Sequence, residues 1–234
     1  MSHQLHHAAI REAPTMVGAQ VPGRGGLLVV GAIASILHIV WRSVLTAGVD
    51  PAVSAQEQLW VPVNVIGAAG GMLVLAGLPA ISASMTAAGR IGLALIEGSW
   101  TFFGIFLSLY GALVLPWLAT EAPELVSGTL SPPTAFVVAF AAALLAWLLG
   151  AVVMAIPLLG GSGPTRWAGI VLPASALWTL LGTLVIAPDG PADDLAVNLV
   201  SNLGPVLLLI GLGALGLRAG TERADTYTTA GDKR

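Results

Sequence analysis

Six stretches of this chain stay apolar long enough to cross a bilayer: 27–47, 61–85, 91–119, 135–159, 167–187 and 195–219. Crossing about 30 Å of hydrocarbon takes about 20 residues at the helical rise of about 1.5 Å each. Hydrocarbon offers backbone amides and carbonyls no partner, so each stretch must close its own hydrogen bonds, as a helix does. The third stretch is long but too short for two spans. It predicts a tilted helix or one that ends near Pro116. The predicted fold class is all-α, a polytopic membrane helical bundle of six transmembrane helices. Residues 24–219 make the membrane domain, and the polar, aperiodic segments 1–23 and 220–234 read as disordered tails.

Composition narrows the solvent. Of 234 residues, 56% are hydrophobic and only 9% charged, and mean hydropathy is +0.89. A water-soluble domain carries about a quarter charged residues, so lipid surrounds this chain. Cysteine is absent, which removes disulfides, thiolate metal sites, iron–sulfur clusters and palmitoylation. The abundance of Ala, Gly, Leu and Val reads as bacterial, which places the protein in an inner or plasma membrane.

The basic residues set the expected orientation. Arg11 and Arg24 precede the first stretch, and Arg90 and Arg166 stand in the second and fourth connections. Arg218, Arg223, Lys233 and Arg234 follow the last, so Arg42 alone falls elsewhere. The alternate connections hold only acids: Asp50, Glu57, Glu121, Glu124, Asp189, Asp193 and Asp194. Both termini are therefore expected in the cytoplasm. Trp60, Trp117 and Trp167 fall near the boundaries, where an aromatic belt sits. A cleaved signal peptide ending at Val53-Ser54-Ala55 is rejected, because the polar lead is long and Trp41-Arg42 interrupts the apolar run.

An internal repeat emerges when 63–81 is aligned with 197–215. Identities fall at Val63/Val197, Asn64/Asn198, Gly70/Gly204, Leu73/Leu207, Leu75/Leu209, Gly77/Gly211, Leu78/Leu212 and Ala80/Ala214. Arg24, Arg90 and Arg166 open the first, third and fifth stretches in a similar way. Three repeated helical hairpins explain both observations. Convergent, Gly- and Leu-rich helix packing is the alternative.

Ionisable groups inside a membrane are expensive and normally face the bundle interior or water. His38 and Arg42 are four residues apart and share a helix face. Asn64, Asn198 and Asn202 fall at matching depth near the outer end, with Thr179 and Thr183 in the same layers. Glu97 lies deeper, about 10 Å from the cytoplasmic end at the helical rise. It opens a stripe with Thr101, Gly104, Ser108 and Gly111 that predicts a small, polar face toward neighbouring helices. Each has a plainer explanation. Arg42 can snorkel to headgroups, His38 can be a packed imidazole, and the asparagines can be interhelical glue.

Other chemistry finds no footing. One intramembrane His cannot supply paired haem ligands, and no span carries a Lys for a Schiff base. No His follows Gly160-Gly161-Ser162-Gly163, so a serine-hydrolase turn is not supported. His3, His6 and His7 read as part of a tail rather than a metal site. No cofactor and no nucleic-acid partner is expected. At Gly89-Arg90-Ile91-Gly92-Leu93 and Pro164-Thr165-Arg166-Trp167-Ala168-Gly169 the chain resembles a group of uncharacterised six-helix bacterial membrane proteins. That resemblance implies the same topology and brings no activity or site residue with it.

Three functions are weighed. The first is binding or permeation of a small polar or anionic ligand, or a lipid headgroup, in an outward-facing pocket. Its residues would be His38, Arg42, Asn64, Asn198 and Asn202, with Glu97 as a proton-linked group deeper on the path. The second is a non-catalytic accessory subunit whose partner, or second copy, docks on the wholly apolar stretch 135–159; membrane lipids are partners in either case. The third, an intramembrane enzyme, lacks a nucleophile–base or metal constellation.

Overall fold

The structure is a computed structural model that describes residues 23–127, 132–186 and 194–231, with side chains up to Thr221. Residues 1–22 of the expected tail 1–23 and residues 232–234 lie outside the described residues, as do His3, His6 and His7. Among the described residues six helices are long and apolar enough to cross a membrane, which makes the chain a multi-pass membrane protein. They are α1 (Arg24–Thr46), α2 (Trp60–Ser82), α3 (Ala87–Glu121), α4 (Thr134–Leu159), α5 (Pro164–Ile186) and α6, whose span is Leu203–Thr221. Their outer faces are apolar, as with Val30, Ile33, Leu37 and Val44 of α1 or Leu145, Leu149, Val152 and Ile156 of α4.

Local chemistry sets the ends. The Thr86 hydroxyl accepts from the Gly89 amide at 3.2 Å and caps α3. Asp194 accepts from the amides of Ala196 at 2.7 Å and Val197 at 3.2 Å, starting a short helix, Leu195–Ser201. The expected sixth stretch, 195–219, is therefore two helices, broken at Asn202. The break follows from Pro205, which has no amide to offer the Ser201 carbonyl one turn back. The last helix then runs to Gly231, so the tail expected to begin at 220 is helical over most of its length. Thr221-Glu222-Arg223-Ala224 contains good helix formers and nothing to stop the helix.

The helices stand in a ring in chain order. Each packs on the next, and α6 closes the ring on α1. Within it, three hairpins repeat one contact. A Cβ on Gly70 of α2 would lie 2.9 Å from the Ser35 amide nitrogen of α1. On Gly150 of α4 it would lie 3.0 Å from that of Ile96 in α3, and on Gly204 of α6 2.7 Å from that of Thr179 in α5. Only glycine lets backbones approach so closely. Helices α1–α2, α3–α4 and α5–α6 thus share one kind of glycine contact, which fits repeated hairpins and convergent Gly-rich packing alike.

The two ends of the ring are filled differently. Leu28, Val74, Ile96, Met154, Leu172 and Leu212, one from each helix, belong to a single buried apolar cluster. This packed end is where α1, α3 and α5 begin: Gly25 abuts Gly216, and Gly89 abuts Pro157. Arg24, Arg90, Arg166 and Arg218 belong to it. Toward the other end the bundle is hollow.

Candidate functional site

The hollow is a cavity of about 370 Å³ to which all six helices contribute. His38, Arg42, Asn198 and Asn202, four of the residues singled out in the sequence, line it. Each is placed by identifiable contacts. A carbonyl can only accept, so the His38 Nδ1–H donates to the Val63 carbonyl at 3.0 Å. Gly67 makes room for the ring, since a Cβ there would lie 2.6 Å from the imidazole Cγ. Asn198 is buried and donates to the Ser43 carbonyl at 3.1 Å and the Thr46 hydroxyl at 3.0 Å, tying the start of the sixth segment to α1. Asn202 donates to the Asn198 carbonyl at 2.8 Å across the helix break.

Arg42 is the charge in this cavity. Its guanidinium carbon sits 5.7 Å from the centre of the Trp60 ring, a cation–π contact. Trp60 is held in turn by its indole N–H, which donates to the Gly111 carbonyl at 2.8 Å. At 2% exposure Trp60 is a core residue, a correction to its expected place in an aromatic belt; Trp117 and Trp167 are exposed. Among the described residues Arg42 has no carboxylate in ion-pair range. Several neighbouring hydroxyls are spent on their own helices, Ser43 on the Ile39 carbonyl, Thr46 on that of Arg42 and Thr179 on that of Ser175. Among the described residues the guanidinium's donors have no such partner.

Two expected site residues lie elsewhere. Asn64 is fully buried between α2 and α3, donating to the Trp60 carbonyl at 2.9 Å with its Oδ1 against Gly111, and is not part of the cavity wall. Glu97 is exposed on the outer surface of α3. Thr101 is exposed with it, whereas Gly104, Ser108 and Gly111 of the same predicted stripe are buried. The cause is a π-helical segment, Thr101–Phe106. It adds one residue to the turn, which at 3.6 residues per turn rotates the two parts of the stripe about 100° apart.

A second π segment, Gly182–Ile186, interrupts α5. Phe103 and Gly104 of the first and Gly182 and Thr183 of the second line the cavity, so both irregularities shape its wall. The Ser201 carbonyl, freed by Pro205, lies against Gly182. The sequence reading also missed Trp100, Phe103, Phe140 and Trp147, which line the side formed by α3 and α4. The spacing of Phe136, Phe140 and Trp147 along one helical face carried that signal. The indole nitrogens of Trp100 and Trp147 and the Ser35 hydroxyl are buried without a hydrogen-bond partner. Among the described residues no cluster of His, Cys, Asp or Glu is suited to a metal ion. In comparisons with known proteins, no family model, no curated protein and no solved structure matches the chain.

Proposed function

We propose that the protein binds a small anionic ligand in this intramembrane cavity, in a binding rather than catalytic role. One observation carries the reading: Arg42, a permanently charged group, lines the cavity with no carboxylate beside it among the described residues. A guanidinium away from bulk water calls for an anion, and its fork of N–H donors fits a carboxylate or phosphate with two parallel hydrogen bonds. His38, Asn202 and Thr183 stand by as polar partners. The packed end carries Arg24, Arg90, Arg166 and Arg218, so the positive-inside rule puts that end and both termini in the cytoplasm and the cavity toward the outside of an inner or plasma membrane. The packed apolar half supports binding over permeation, because passage would require all six helices to separate there.

The test is thermal unfolding of the purified protein in detergent, with and without acetate, benzoate and inorganic phosphate. Stabilisation grows with the logarithm of ligand concentration above its Kd. We expect at least one anion to raise the Tm of the wild-type protein, and the rise to vanish in Arg42→Leu, which still inserts. An equal rise in both proteins would exclude the cavity as the binding place.

A second reading is an accessory subunit of a membrane complex. The exposure of Glu97 within the apolar span of α3 favours it, since a carboxyl in hydrocarbon gains from a donor on another chain. It predicts a stable partner on gentle extraction and a loss of that partner in Glu97→Leu.

A further inference from the structure

The cavity has two chemically distinct sides, and the division follows the helices. From α1, α5 and the sixth segment come polar groups: His38, Arg42, Thr179, Thr183, Asn198 and Asn202. From α3 and α4 come Trp100, Phe103, Leu107, Phe140, Leu144 and Trp147, with Ser108 and the buried indole N–H groups of Trp100 and Trp147 the polar exceptions. The aromatic side is ordered. Phe103 meets Phe140 edge-on with ring centres 5.2 Å apart, and it meets Trp147 at 5.8 Å. Both contacts are favourable aromatic geometries. Such a wall gains nothing from a hydrated inorganic ion. It gains from a flat or chain-like apolar body laid against it.

We infer that the ligand is an amphipathic organic anion, with its carboxylate or phosphate on Arg42 and its apolar body against Phe103, Phe140 and Trp147. This rests on the anion-binding reading above and names the ligand class. Size agrees: about 370 Å³ is near the lower end of the ~300–1,000 Å³ of small-molecule sites. That is room for one small acid and too little for a two-chain phospholipid. The same chemistry has two sources, an aromatic acid from the aqueous side or a short acyl chain from the bilayer, and the probes below separate them.

The experiment is equilibrium binding by calorimetry to the full chain in detergent, using acetate, benzoate, benzyl alcohol and octanoate. Benzoate is expected to bind at least tenfold more tightly than acetate, which lacks the apolar body, and than benzyl alcohol, which lacks the charge. An apolar contact of this kind discriminates by about 10–200-fold. Phe140 is half-buried, so Phe140→Ala folds; it should weaken benzoate about tenfold and leave acetate unchanged. Octanoate binding more tightly than benzoate identifies acyl chains as the source, and the reverse identifies aromatic acids. If acetate and benzoate bind equally and both are lost in Arg42→Leu, the anion site stands and the amphipathic class is wrong. If benzyl alcohol matches benzoate, the anion site itself is refuted; if no probe binds, the amphipathic acid class is wrong, and the phosphate arm of the thermal test decides the anion site.

Discussion

The two halves of this bundle are built from the same six helices and end up with different contents. In the half where α1, α3 and α5 begin, leucine, valine, isoleucine and methionine from every helix meet at the centre and fill it. In the other half the helices bring Arg42, His38, two asparagines and an aromatic wall, and leave about 370 Å³ between them. The glycine contacts that set the helix spacing are common to all three hairpins. Spacing alone therefore does not make the cavity. What differs is the volume and polarity of the side chains facing inward, together with the two π segments that turn the walls of α3 and α5.

One substitution made in both halves sharpens the contrast. Leu172 is completely buried in the packed half, and Leu144 borders the cavity. Leu172→Ala should destabilise by about 2 kcal/mol, the low end of the buried Leu→Ala range because lipid is itself apolar. Leu144→Ala only enlarges a space already present, so its effect should stay below about 1 kcal/mol. Unfolding by sodium dodecyl sulfate titration in mixed micelles measures both. Equal losses would mean that the cavity is closed in the membrane. A smaller effect is expected at Glu97. Standing on the outer face of α3, it has no route to the ligand, so Glu97→Gln should leave the anion-induced rise in Tm unchanged. A rise abolished in that variant would put Glu97 back on the binding path.

Much of this was legible in the sequence. The spans follow from apolar run length, and α4 matches its expected stretch within a residue. The shared depth of His38, Arg42, Asn198 and Asn202 follows from counting residues along helices. The shared Asn and Gly positions of the second and sixth stretches pointed to repeated hairpins. For α3–α4 the only sequence sign was Arg90 at its opening; the Gly92–Gly150 backbone contact has no counterpart in the alignment, which covered the second and sixth stretches alone. Glu97 was misplaced for a reason of geometry. Counting residues gives depth, but the direction a side chain faces depends on an unbroken period, and the π segment at Thr101–Phe106 breaks it. Asn64 was at the right depth and on the wrong face. The aromatic wall was passed over because a stretch without polar residues reads as lipid-facing, although α4 turns Phe140, Leu144 and Trp147 inward.

The most direct test of the Arg42 anion site is native mass spectrometry of the gently extracted full chain and its Arg42→Leu variant. The wild-type protein should carry a small adduct, with the mass of an organic acid, that the variant lacks. The same adduct on both proteins, or a second polypeptide in place of any small molecule, would contradict it.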